Sequence, residues 1–249
     1  MGLHNSYRNS HVQGATMEVK TVIIRSIFGL LISVAIVAGC GKKPEIKPEK
    51  PKRSIVFFGD SVTYGYGVDS EKDSYYARIS KVMRSGLFGD VTTVNAGVSG
   101  DDTAEGLSRV TTDVTAHNPD IVIMAFGLND CQNRGMTTEE FHRNITNMIA
   151  AMPSKTQVIL ATSNSFLETG QSTWEDLNDS LDPFMDEIRT IARERELSLI
   201  DINRIWKDQL KRDSRHMESF YVDPTHPSAK GHGVIYEAYM NVLRRILMK

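Results

Sequence analysis

Four short segments of this chain carry residue types that together can run acyl transfer. The first, Gly59-Asp60-Ser61-Val62, offers a serine hydroxyl as nucleophile. The second, Asn95-Ala96-Gly97-Val98-Ser99-Gly100-Asp101, is glycine-containing, and a glycine lets a backbone N–H come close to a reacting oxygen. The third, Gly127-Leu128-Asn129-Asp130, supplies a side-chain amide able to donate to a developing oxyanion. The fourth, Asp223-Pro224-Thr225-His226-Pro227, sets Asp and His three apart on a proline-stiffened loop, where the carboxylate can fix the imidazole tautomer. Each segment alone has a plainer use. Ser61 and Asn129 suit helix caps or turns, the glycine run suits a strand-to-helix turn, and a lone histidine is more often structural. Ser99 is a rival serine, but Asp101 stands where a G-x-S-x-G elbow needs its last glycine. Jointly the segments provide a nucleophile, a base with its orienter, a backbone donor and a side-chain donor.

Those residues need a scaffold that brings them to one place. From Ser54 onward, short apolar runs alternate with helical periods. Ile55-Val56-Phe57-Phe58, Val91-Thr92-Thr93-Val94, Ile121 to Phe126, Val158 to Ala161 and Leu197 to Ile200 read as strands, apolar enough to be covered on both faces. Between and after them, apolar residues fall at helical spacing. One stripe is Tyr75, Tyr76, Ile79, Val82 and Met83, and another Phe141, Ile145, Met148, Ile149 and Met152. A third is Leu177, Leu181, Phe184, Ile188 and Ile191, and the last Ile235, Tyr239, Val242 and Ile246. This alternation predicts an α/β fold, a three-layer α/β/α sandwich around a five-stranded parallel, flavodoxin-like sheet. Such sheets bind ligands at the carboxyl ends of their strands, and three of the four segments directly follow a predicted strand.

The order of the four segments and their placement after successive strands resemble the GDSL/SGNH hydrolases, over roughly Ser54 to Lys249. In that family the first motif carries a serine, the second a glycine, the third an asparagine and the last an Asp-x-x-His pair, and all four are intact here. The resemblance implies Ser61 as nucleophile, His226 as base and Asp223 as the residue orienting it. It implies an oxyanion hole of the Ser61 N–H, the Gly97 N–H and the Asn129 amide. It further implies hydrolysis of a small-molecule carboxylic ester through an acyl-enzyme, with no metal or organic cofactor. Members of the family cleave lysophospholipids, acyl thioesters, aryl esters and acetylated sugars, and the sequence does not choose among them. Tyr64, Tyr66, Met136, Phe166 and Leu167 lie on predicted loops that can line a cleft.

Two rival functions are weighed against this. A metallohydrolase built on Asp60, Asp130, Asp223 and His226 lacks any recognised ligand spacing. A non-catalytic envelope lipoprotein binding glycan or lipid has no need of a Ser–His pair. Asp60 and Asp130 are expected to shape their loops by accepting backbone hydrogen bonds, His232 to pack or face solvent, and Cys131 to be a small buried thiol.

The N-terminal region reads as an address. Ile27 to Ala38 is too short to span a bilayer, which takes about 20 apolar residues. Lys20 and Arg25 precede its core, and it ends in Val37-Ala38-Gly39-Cys40, which resembles a bacterial lipobox. Residues 1–39 are therefore expected to be a signal region, and Cys40 the lipidated first residue of the mature protein. Counted from Met1 that region exceeds the roughly 15–30 residues usual for a signal, whereas counted from Met17 it fits, so Met17 is the expected start. Residues 40–53 hold three prolines, six basic and two acidic residues, an extended tether suited to anionic headgroups. The hydrolase domain is then 54–249, expected as a monomer held at a bacterial envelope membrane, with the periplasmic face favoured. The net charge of −2 leaves no basic surplus to hold a nucleic acid. With only two cysteines and no C-x-x-C pair, a zinc knuckle or thioredoxin-type site is excluded.

Overall fold

The computed structural model describes residues 52–133, 135–168 and 172–249. The signal region, Met17, Cys40 and the tether as far as Pro51 lie outside the described residues. Among the described residues no helix is long and apolar enough to cross a membrane.

Among the described residues, five strands form one sheet: β1 (Arg53–Gly59), β2 (Val91–Gly97), β3 (Ile121–Ala125), β4 (Gln157–Ala161) and β5 (Ser198–Ile200). All pairs are parallel and the order is β2-β1-β3-β4-β5, the expected flavodoxin-like arrangement. Arg53 belongs to the sheet and not to the tether, since it pairs with Val91 and its N–H donates to Asp90 O at 2.9 Å. From β1 the chain winds outward to β2, then returns across β1 to β3. The order reverses at β1, and sheets of this kind bind ligands at such a point, outside the carboxyl ends of the strands.

Among the described residues, seven α-helices accompany the strands: α1 (Ser61–Tyr64), α2 (Tyr75–Arg84), α3 (Thr103–Asp113), α4 (Thr138–Ala150), α5 (Ser172–Glu194), α6 (Ile202–Arg212) and α7 (Ala229–Leu247). Successive side chains of a strand point to opposite faces, which β1 shows directly. Phe57 meets Tyr76 of α2 and Tyr239 of α7, while the next residue, Phe58, meets Phe126 and lies beneath Arg109 of α3. Helices α2 and α7 thus cover one face, and α3, packed against α4, the other. Ile55, Val56, Phe57 and Phe58 are fully buried, each worth roughly 1.5–3 kcal/mol of hydrophobic stabilisation. The helices start at side-chain caps: Ser74 on α2, Thr137 on α4, Ser228 on α7, and a capping box between Asp102 and Glu105 on α3.

Candidate active site

The nucleophile turn is set by Asp60, not Ser61. Asp60 is the N-cap of α1, its Oδ1 accepting from the Val62 N–H at 2.9 Å. Ser61 is consequently the first residue of a one-turn helix, where a backbone N–H has no intrahelical partner. Its hydroxyl stands above the end of β1, 3.0 Å from His226 Nε2. On the other side of that ring, Nδ1 lies 2.8 Å from Asp223 Oδ2 and 3.0 Å from Oδ1. Burial pushes the Asp223 carboxyl up, but hydrogen bonds from the His226 backbone, the His226 ring and the Thr225 backbone outweigh it and leave Asp223 below its ordinary value. Asp223 is therefore an anion, suited to hold the imidazole in the tautomer with the proton on Nδ1 and the lone pair on Nε2.

The loop carrying Asp223 and His226 is tied down at several points. Tyr221 and Pro227 form an antiparallel bridge, and the Val222 N–H donates to His226 O at 2.9 Å. From the segment after β4, the Leu167 N–H donates to Pro224 O at 2.8 Å, and Asn164 Nδ2 donates to Thr225 O at 3.0 Å. The Tyr66 ring lies against the imidazole, with ring centroids 4.4 Å apart, and remains half-exposed.

Asn129 follows β3, and its amide donates to Asp101 O at 2.7 Å, which leaves its second N–H for a ligand. Gly97 departs from expectation. Its N–H donates to Asn95 Oδ1 at 2.9 Å, so it has no proton to offer an oxyanion. A Cβ at Gly97 would lie 2.3 Å from the Tyr64 backbone nitrogen, so this glycine serves the close packing of β2 against α1. The same loop contains Gly100, held at φ +91°, a left-handed conformation that glycine adopts without cost, and a Cβ there would meet no atom within 4 Å. The Asn129 amide is bonded to the residue directly after Gly100.

Arg109 holds this region together. Its guanidinium pairs with Asp101 and donates to Ala96 O at 2.8 Å and Gly59 O at 2.9 Å. It thereby joins the ends of β1 and β2 and the carboxylate beside Gly100. Neither Arg109 nor Gly100 was singled out as a site residue from the sequence. A positive charge four residues before a helix end and a glycine two residues before a capping Asp carry only a weak signal.

Two carboxyl groups flank the donor residues in the chain. Burial raises Asp60 to about 7; the Val62 N–H opposes this and the nearby Asp130 charge adds to it. Burial raises Asp130 to about 6, against the hydrogen bonds it accepts from Thr103. Asp60 shapes its own turn as expected, whereas Asp130 ties its loop to the start of α3 through Thr103. Among the described residues no three His, Cys, Asp or Glu side chains are grouped to hold a metal ion. His232 is fully buried, its Nδ1 accepting from the Tyr75 N–H at 3.3 Å, and burial pushes it down to about 4. Burial pushes the Cys131 thiol up to about 12. Phe166 and Leu167 are buried, although Phe166 forms part of the wall of a separate cleft with Glu168, Lys207 and Met217, whereas Tyr64 and Tyr66 are half-exposed. A cleft of about 470 Å³ begins at Tyr64, one helical turn from Ser61, and runs between α2 and β2 past Tyr76, Glu71, Arg84 and Asn95.

Residues 57–234 match the GDSL-like Lipase/Acylhydrolase family. The chain belongs to that family. An arylesterase of Vibrio mimicus is 32% identical over 96 residues, which is 39% of this chain and 46% of the relative. The chain spans about half the length of the curated relatives it matches. Among solved structures, a lipase/acylhydrolase from Enterococcus faecalis superposes with a TM-score of 0.64 at 26% identity, covering 78% of this chain and 95% of that one. An acetylxylan esterase from Geobacillus stearothermophilus, Axe2, superposes with a TM-score of 0.66 at 20% identity, covering 78% and 95%. At that identity the second likeness speaks for the fold alone.

Proposed function

We propose that this protein is a serine esterase that cleaves carboxylic esters through an acyl-enzyme on Ser61. The observation that carries this is the chain of contacts from Ser61 Oγ through the His226 ring to Asp223, at 3.0 and 2.8 Å. His226 Nε2 takes the hydroxyl proton as Oγ attacks the ester carbonyl. The tetrahedral oxyanion is met by the Ser61 N–H, the free proton of the Asn129 amide and a backbone N–H of the Gly100 turn. Each such donor is worth about 3–4 kcal/mol if it acts like other oxyanion donors. Collapse expels the alcohol, which takes the proton from His226. Water then attacks the acyl-enzyme with the same base and releases the acid. A purely glycan- or lipid-binding role is not favoured, because binding alone requires no aligned Ser–His–Asp contact.

Aryl esters, thioesters, lysophospholipids and acetylated sugars are the candidate substrates. The polar groups of Glu71 and Arg84 beside Tyr64 and Tyr76 favour a hydroxylated alcohol moiety over a second alkyl chain in the cleft that begins at Tyr64, one helical turn from Ser61. The Val37-Ala38-Gly39-Cys40 segment supports lipid anchoring through Cys40 at a bacterial envelope membrane. The deciding experiment is a panel of esters of graded acyl length, with an acetylated oligosaccharide included, run on wild type and Ser61→Ala. Turnover of at least one ester that vanishes in Ser61→Ala is expected, and no turnover of any ester by wild type refutes the proposal.

A further inference from the structure

Behind the nucleophile turn lies a small cavity of about 20 Å³, with Asp60, Thr63, Tyr75, Asn164 and Tyr239 in its wall. Two of these residues are almost completely buried, Asp60 at 2% and Asn164 at 1% exposure. Each has an acceptor atom, Asp60 Oδ2 and Asn164 Oδ1, that meets no hydrogen-bond partner among the described residues. Their remaining polar atoms are committed in opposite directions. Asp60 Oδ1 caps the helix that presents Ser61, at 2.9 Å from the Val62 nitrogen. Asn164 Nδ2 donates to Thr225 O at 3.0 Å, in the loop that presents His226, and to Ser165 O at 3.1 Å. The cavity therefore sits between the two segments whose relative position sets the Ser61–His226 distance.

Buried acceptors without a partner are uncommon, because each loses the hydrogen bonds it makes to water in the unfolded chain. A cavity holds a water once it offers about 10–15 Å³ and two to four polar partners, and this one has both the room and the partners. We infer that the cavity is a binding site for one structural water, which bridges Asp60 Oδ2 to Asn164 Oδ1 and keeps the nucleophile turn in register with the Asp223–His226 loop. The water donates to Asn164 in every state. Toward Asp60 it donates to the carboxylate or accepts from the carboxylic acid, so the bridge survives protonation. The Thr63 hydroxyl accepts from the Tyr75 hydroxyl at 3.0 Å and keeps its own proton for a third bond. Asp60 and Asn164 are positioning residues in this scheme; neither touches substrate.

The inference rests on Ser61 and His226 being the working pair, and two independent measurements test it. The first is a high-resolution crystal structure of the protein. A water within about 2.7–3.2 Å of both acceptors is expected; direct Asp60–Asn164 contact or a dry cavity overturns the site. The second is a double-mutant cycle on ester turnover with Asp60→Ser, which keeps a capping oxygen but removes Oδ2, and Asn164→Ala. Each single variant is expected to lower kcat about 10- to 100-fold, as a misplaced nucleophile does, with KM little changed. The double variant should lose no more than about threefold beyond the worse single, because both act through one water. Fully additive losses, or losses confined to KM, overturn the positioning role. Variants that do not fold leave the crystallographic test to decide. Failure of the parent proposal is told apart by Ser61→Ala, which would then retain activity whatever the water density shows.

Discussion

Replacing Asp60 by Asn should flatten part of the pH dependence of stability. The Asp60 carboxyl is raised from 3.8 to about 7, first by burial and then by the Asp130 charge. In the unfolded chain it titrates near its ordinary value. Between those two pH values the folded protein holds a proton that the unfolded chain has released, so stability falls as pH rises through that window. The contribution is fully present below the unfolded value and lost above the folded one. At about 1.4 kcal/mol per unit, the loss amounts to about 4 kcal/mol, a large share of the roughly 5–15 kcal/mol that holds an ordinary domain. Asparagine is nearly isosteric, stays neutral at every pH and can still cap the Val62 N–H through its carbonyl oxygen. Urea unfolding of both proteins at intervals between pH 4 and pH 8.5 measures the difference. The variant should gain on wild type by about 4 kcal/mol across that range. Asp130 remains in both proteins, so its own titration largely cancels. Parallel stability curves would refute the reasoning, since they would mean that Asp60 ionises in the folded protein as it does in the unfolded chain.

Further outcomes follow from the site. Ser61→Ala and His226→Ala should each lower kcat by roughly 10⁴–10⁶, and the double variant little more, because the two act as one unit; additive losses in folded variants would separate them. Arg109→Ala leaves Asp101 and two strand-end carbonyls without their partner, so it should cost about 3–5 kcal/mol of stability in thermal or urea unfolding, and Arg109→Lys clearly less. Gly100→Ala meets no atom within 4 Å yet must hold φ +91°. It should cost about 1–2 kcal/mol of stability while lowering kcat about 10- to 100-fold, and unchanged kcat would remove this turn from the oxyanion hole. Cys40→Ser should move the protein from the detergent phase to the aqueous phase on partitioning, because a lipid chain contributes about 0.8 kcal/mol per buried CH₂.

Much of this protein is legible without its structure, for definite physical reasons. Strands such as Ile55 to Phe58 are buried on both faces, so a continuous apolar run is enough to reveal them, and their alternation with helical stripes implies the sandwich. The glycine-containing segments after the strands stand out for the same reason: a parallel sheet gathers the carboxyl ends of its strands, and three of the four segments sit there. Asp223 and His226 are close in the chain, so their contact is a local property. Helices α3 and α6 do not stand out in the sequence, because Gly106 interrupts one apolar stripe and charged residues crowd the other.

What the tertiary structure decided is where each polar atom is already committed. The chain shows a glycine at 97 and another at 100, but not that Asn95 claims the Gly97 N–H or that α1 crowds its Cα. It shows Phe166 and Leu167 in a loop, but not that the loop dives into the core to support Pro224. It shows Asp60 beside the nucleophile, but burial and the approach of Asp130, 70 residues away in sequence, are what raise its carboxyl to about 7. Arg109 looks like an ordinary helical cation until the fold brings Gly59, Ala96 and Asp101 around it. Residue type and local spacing are enough to propose the reacting groups. Hydrogen-bond partners, burial and charge neighbours depend on contacts between distant segments, and only the folded chain brings those segments together.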